Sequence, residues 1–218
     1  MTNAIVFDFD GTIADTEWPI YEVARDAFQA HGLDFALTDW VKGIGLADNK
    51  SLPELLSDAL GHPPDDAIVA EAARTRENWN DRMDTFPGVL AVITAANAAG
   101  VPLAVASSSP TAWVEPHLRR LGLIEHFVAV RTRDHVDRGK PAPDLFLAAA
   151  AALDIDPTGA VAIEDSKHGC ASAKAAGMTC VVVPNGITAL DKPTNADLIL
   201  DSLTDFPFER FGLPRNVE

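Results

Sequence analysis

Short runs of β-forming residues alternate with helical periodicity over most of the chain. The place where that alternation breaks is the first organising feature. Ala4-Ile5-Val6-Phe7 is an apolar run followed by the turn signal Asp10-Gly11, which predicts a buried strand. From Glu17 the period changes. Ile20, Ala24, Ala27, Phe28 and His31 recur at helical spacing, and Gly32 stops the helix. A second helix is predicted from about Asp48 to Leu60, closed by Gly61. Pro63-Pro64-Asp65 opens a third, with Ile68, Ala72, Thr75, Trp79 and Met83 on one face, so Trp79 is expected inside the packing of this segment. Residues 17–83 therefore read as helix with no strand.

Phe86-Pro87-Gly88 punctuates the chain, and strands return after it. A helix carrying Val89, Val92, Ile93 and Ala96 and ending at Gly100 precedes a strand at Leu103–Ala106. A helix from Thr111 to Leu121 carries Pro116, which should kink or shorten it. A strand at Phe127–Val130 is followed by a helix opened by Pro143, a strand at Val161–Ile163 and a helix from Lys167 to Ala176. Strands at Thr179–Val183 and Asp197–Leu200 complete the series. Strands that are continuous apolar runs alternating with helices predict a parallel sheet covered on both faces. The expectation is a Rossmann-like α/β core formed by residues 1–15 and 84–218, interrupted after its first strand by an all-helical domain at 16–83.

Composition narrows the function. The 218 residues carry 17 Lys and Arg against 32 Asp and Glu, a net charge of −15, which excludes a general nucleic-acid or anionic-membrane binder. An anionic ligand must then be met by a local basic group or a bound cation. Two cysteines, Cys170 and Cys180, give neither a disulfide framework nor zinc spacing. No signal peptide and no membrane-spanning apolar run is apparent, so a cytoplasmic address is expected.

In open parallel sheets, ligands bind beyond the carboxyl ends of the strands. The residues there are Asp8, Asp10, Gly11 and Thr12 after the first strand, and Ser107, Ser108 and Ser109 after Leu103–Ala106. The loop holding Lys140-Pro141 follows the next strand, and Glu164, Asp165 and Ser166 follow Val161–Ile163. Singly, the serines could cap helices and the acids could be solvated. Together, acids, hydroxyls and one lysine suit a hard cation such as Mg²⁺ beside a phosphate. Asp8 and Asp10 lie on one face, two residues apart, and such a pair repels unless a cation or proton intervenes.

Asp8-Phe9-Asp10-Gly11-Thr12 resembles the first motif of the haloacid dehalogenase-like hydrolases. Ser107 resembles the second, Lys140 the third and Glu164-Asp165 the fourth. The similarity spans nearly the whole chain. Gly139-Lys140-Pro141-Ala142-Pro143-Asp144 and Ile163-Glu164-Asp165-Ser166 are similar to the capped subgroup containing β-phosphoglucomutase and many small-metabolite phosphatases. The resemblance implies a Mg²⁺-dependent phosphomonoester hydrolase for a small phosphorylated metabolite, a sugar phosphate foremost. It implies Asp8 as nucleophile and Asp10 as general acid and base. It implies Asp8, Asp165, the Asp10 carbonyl and Glu164 around the metal. Ser107, Lys140 and the backbone near Gly11 and Ser108 would hold the phosphoryl group, while Thr12 would orient Asp10 or steady its turn. The helical domain would act as a cap that closes about linkers near Ala14–Thr16 and Thr85–Gly88, with Trp18, Trp40 and Lys42 lining the pocket. Such an enclosed site works as a monomer, though a dimer is compatible.

Asp10 favours phosphoryl chemistry over carbon–halogen cleavage, because the founding dehalogenases lack this second acid. The phosphonoacetaldehyde-cleaving relatives need a cap lysine, and the surroundings of Lys42 and Lys50 do not match theirs. A β-phosphoglucomutase-type mutase is the alternative. Its cap pairs a lysine with an arginine, whereas Trp40-Val41-Lys42-Gly43-Ile44-Gly45-Leu46 keeps only the lysine. A phospho-aspartate switch module is the third reading. The helical insertion and the Asp8-to-Thr12 order stand against it.

Overall fold

A computed structural model describes residues 2–46, 50–80 and 83–215. Six parallel strands form one sheet in the order β3-β2-β1-β4-β5-β6. They are β1 (Ala4–Phe7), β2 (Leu103–Ala106), β3 (Ala129–Arg131), β4 (Ala160–Glu164), β5 (Thr179–Val182) and β6 (Leu198–Ile199). The order reverses between β1 and β4, which pair in register from Ala4 with Ala160 to Phe7 with Ile163. That reversal is the switch point where open α/β sheets leave a crevice.

Successive strand residues point to opposite faces, and each face carries its own core. Ile5, Phe7, Val105 and Ile163 pack on α5 (Val89–Ala98), α6 (Thr111–Arg120) and the segment 203–213. Ala4, Val6, Ala104 and Ala162 face α7 (Asp144–Ala152) and α8 (Lys167–Ala175) through Leu145, Phe146, Ala149, Cys170 and Ala173. The small alanines on this face let α7 and α8 lie close to the sheet. Both cysteines are free and buried. Pro116 sits inside α6, yet the helix runs on to Arg120, so the expected shortening does not occur.

Between β1 and α5 the described residues are helical: α1 (Glu17–Ala30), α2 (Leu37–Trp40), α3 (Leu52–Leu60) and α4 (Asp66–Asn80). Asp48, the expected start of the second helix, lies outside the described residues. The α3 helix begins instead at a capping box, in which the Ser51 N–H donates to the Glu54 carboxylate at 2.7 Å, and it ends at the left-handed Gly61. Val23, Ala27, Phe28, Leu56 and Ala72 form a separate small core. Trp79 is not part of it. It is 38% exposed, because α4 buries Ala72 and leaves its last turn at the surface. The segments entering and leaving this helical layer run side by side, through a bridge between Ala14 and Thr85 and a Phe86 N–H bond to the Ile13 carbonyl at 2.9 Å. No described helix is long and apolar enough to cross a membrane.

Candidate active site

The carboxyl ends of β1 and β4 lie side by side, and their first polar residues meet. Lys140 Nζ donates to Asp8 Oδ1 at 2.5 Å and to Glu164 Oε1 at 2.5 Å. All three side chains are buried. A buried ammonium is tolerated only with such partners. Glu164 Oε2 accepts from the backbone N–H groups of Asp165 and Ser166 and from Ser166 Oγ, at 3.0–3.1 Å. Its carboxylate is thus spent on holding Lys140 and the turn into α8. Gly169 makes room for it, since a Cβ there would fall on the Glu164 carboxylate.

Asp165 is anchored from another direction. Asn185 Nδ2 donates to Asp165 Oδ2 at 2.7 Å and to the Gly11 carbonyl at 3.3 Å. Gly11 has φ +77°, and a Cβ on it would meet both Asp165 and Asn185, so only glycine fits this turn. Burial is the largest force raising the Asp8 carboxyl to about 8, with Lys140 opposing it and Glu164 and Asp10 adding to it. Burial, then Glu164 and Asp8, push Asp165 well above the usual carboxylate range. Burial also lowers Lys140, but Asp8 and Glu164 outweigh it, so the lysine stays charged.

Asp8, Glu164 and Asp165 bring carboxylate oxygens within 4.8 Å of one another. Lys140 takes one oxygen of Asp8 and Asn185 one of Asp165, which leaves the other oxygen of each for a cation. An all-oxygen set whose members repel one another fits a hard divalent ion.

Asp10 serves different partners. Ser109 Oγ donates to its Oδ2 at 2.6 Å and the Trp113 indole Nε1 to its Oδ1 at 2.8 Å. Ser107 Oγ reaches Oδ2 at 3.4 Å and accepts the Ser109 N–H at 3.0 Å. Asp8, Asp10 and Asp165 open into one cavity of about 270 Å³. Its walls include Glu17, Ser108, Trp113, Arg76 and Arg133. The helical layer closes it through the 41–46 loop. Ser108 Oγ donates to the Gly45 carbonyl at 3.0 Å, and a Cβ on Gly45 would strike Ser166.

Other expected positions lie apart from the cavity walls. Thr12 is buried, and its hydroxyl has no hydrogen-bond partner among the described residues. Trp40 packs against Tyr21 and Phe35 in the helical layer. Trp18 is 41% exposed and leans on Tyr21. Lys42 pairs with Asp39 at 2.6 Å, its side chain 71% exposed. Sequence reading missed Trp113, Arg76, Arg133, Glu17 and Asn185. Trp113 had a signal: it stands one turn into the helix that follows Ser107-Ser108-Ser109.

A family model described as "Haloacid dehalogenase-like hydrolase" matches residues 5–183. The chain belongs to the haloacid dehalogenase-like hydrolases. Among these hydrolases it is 38% identical over 208 residues to the Bacillus subtilis protein named "Putative phosphatase YhcW", covering 94% of each chain. It is 31% identical over 215 residues to protein CbbY of Rhodobacter capsulatus, covering 93% of this chain and 94% of that one. The solved structure of CbbY from Rhodobacter sphaeroides in complex with phosphate superposes with a TM-score of 0.74 at 31% identity, covering 95% and 97% of the two chains. The protein is a haloacid dehalogenase-like phosphatase.

Proposed function

We propose that this phosphatase cleaves a small phosphomonoester, a sugar phosphate foremost, in two steps through an aspartyl-phosphate on Asp8, with Mg²⁺ as cofactor. The division of labour between its two leading acids carries this reading. Asp8 faces a lysine and a second carboxylate, while the side-chain donors to Asp10 among the described residues are neutral.

Asp8 and Asp165, with the Asp10 backbone carbonyl, would hold the metal. Bound there, Mg²⁺ supplies positive charge that offsets the phosphate and favours ionised Asp8. The Asp8 carboxylate attacks phosphorus. The bond from phosphorus to the leaving oxygen breaks, and Asp10 gives that oxygen a proton. Asp10 then takes a proton from water as it attacks the phospho-Asp8 group, and the Asp8–phosphorus bond breaks. Lys140, fixed by Glu164, neutralises charge that builds during both transfers. Ser108 lines the cavity, and with Ser107, which bonds Asp10, and the backbone near Gly11 it would take the phosphoryl oxygens. Glu164 acts through Lys140, its carboxylate oxygens being already occupied.

The helical layer acts as a cap. The bridge between Ala14 and Thr85 is a narrow two-stranded neck about which it can swing, admitting water between steps. A cavity of about 270 Å³ lies at the small end of ligand pockets, roughly 300–1,000 Å³. Arg133 gives its wall a donor for hydroxyl or anionic groups. A mutant of the related Rhodobacter sphaeroides CbbY binds xylulose-(1,5)bisphosphate, a phosphorylated sugar. Lys42 is engaged with Asp39, which weakens the case for a mutase clamp on a second phosphate. All the groups invoked come from one chain, so a monomer suffices.

The test is phosphate release from a panel of small phosphomonoesters with Mg²⁺ and with chelator. Metal-dependent release, fastest for sugar phosphates, is expected. Interconversion of β-glucose 1- and 6-phosphate faster than phosphate release would replace this reading with the mutase.

A further inference from the structure

Trp113 links Asp10 to the cap. Trp113 lies in the first turns of α6, and its Nε1–H donates to Asp10 Oδ1 at 2.8 Å. Ser109 holds the other oxygen at 2.6 Å, so the plane of the carboxylate is set by two donors on opposite oxygens. The indole is itself held on two sides. The His117 ring meets it edge-on at 4.3 Å, one helical turn away. The Arg76 guanidinium lies 4.9 Å from the indole centroid, and Arg76 belongs to α4 of the cap. Its near neighbour Arg74 pairs with Glu71 on the same helix, whereas Arg76 is bridged to no carboxylate among the described residues and lies over the ring.

A cation over an indole face is attracted to the ring quadrupole. It also draws electron density from the ring and makes the N–H a stronger donor. We propose that Trp113 is a positioning residue for Asp10 and that Arg76 is the clasp through which cap closure sets it. The cap then does more than exclude water. Only when α4 is docked does Arg76 cover the indole, and only then is Asp10 held by both donors. This rests on the reading of Asp10 as the general acid and base.

The test compares kcat and KM of the full-length enzyme with Mg²⁺ and its best phosphomonoester. The variants are Trp113→Phe, Arg76→Ala, Arg76→Lys and the double variant Trp113→Phe/Arg76→Ala. Trp113→Phe keeps a ring under Arg76 but removes the donor. It should lower kcat about 10–100-fold with KM within about threefold, a part of what general acid–base catalysis supplies. Arg76→Ala should lower kcat about 3–10-fold, and Arg76→Lys should restore most of that loss. The double variant should be no slower than Trp113→Phe within about twofold, because both act through one donor.

Losses that multiply in the double variant would overturn the proposal. So would a kcat for Arg76→Ala within about twofold of wild type, and Arg76 is exposed, so that arm stands even if Trp113→Phe folds poorly. Asp10→Asn separates the two claims. If it retains turnover, the role of Asp10 is wrong. If it is inactive while Trp113→Phe is fully active, only the clasp is wrong.

Discussion

Lys140 donates to Asp8 Oδ1 at 2.5 Å although 132 residues separate the two in sequence. The contact joins the end of β1 to the loop before α7, and Glu164 completes it from β4. Lys140→Met removes the only cation in this buried group and leaves two carboxylates facing each other. Breaking a buried pair from one side costs about 3–5 kcal/mol. A lower unfolding free energy by about that amount, measured by denaturant titration with chelator, is expected together with loss of turnover. Wild-type stability in this variant would mean that Asp8 and Glu164 need no counter-charge.

Metal affinity should depend on pH. Without metal, burial holds Asp8 at about 8 and raises Asp165, so a cation must displace protons at neutral pH. Mg²⁺ binding should therefore tighten as pH rises from 6 to 8.5, by up to about tenfold per pH unit for each proton displaced. Calorimetry in buffers of different ionisation enthalpy measures both the affinity and the proton release. Equal affinity at the two pH values would show that the carboxylates are already ionised.

Glu17 makes stability fall as pH rises. Burial first, then Asp10 and Asp8, raise it from 4.5 to about 8, although the Trp40 indole, which faces it without a hydrogen bond of normal geometry, lowers it. The folded protein thus keeps a proton that the unfolded chain loses above pH 4.5. Stability from this group is intact below that value and is lost as pH rises towards 8. Glu17→Gln removes the loss. In chelator its melting temperature should exceed wild type at pH 8.5, by at least several degrees, and match it near pH 4.5. A constant offset across that range would contradict this assignment.

Gly169 separates packing from helix propensity. It lies inside α8, where alanine would ordinarily stabilise by about 0.5–1 kcal/mol. The Glu164 carboxylate occupies the place of its Cβ. Gly169→Ala should instead destabilise by about 1–3 kcal/mol and slow turnover, since Glu164 must move and Lys140 with it. A more stable variant would show that Glu164 has room to spare.

How much of this was legible in the sequence follows from where each residue stands. Asp8, Ser107, Lys140 and Glu164-Asp165 follow buried parallel strands or lie in a strand-end loop, and such strands announce themselves as apolar runs. The sheet order brings those ends together, so a list of strand ends already approximates the site. Arg76, Glu17 and Trp113 stand on helices, and their meeting depends on how the helical layer packs against the sheet domain, which periodicity does not encode. The same gap explains Trp79. Helical spacing puts it on the apolar face of α4, but the packing leaves its ring 38% exposed. Pro116 erred in the other direction, since packing of Val114 and Leu118 on the sheet carries α6 past the lost N–H.

The covalent intermediate is the point on which the mechanism turns. The protein would be mixed with its best phosphomonoester and Mg²⁺, quenched in acid within one turnover, and digested for mass spectrometry. One phosphoryl group on the peptide containing Asp8, absent in Asp8→Asn, is the expected result, with Asp10→Asn accumulating or failing to form it. Rapid phosphate release with Asp8 unmodified at every quench time, or an Asp8→Asn enzyme that still turns over, would contradict the account.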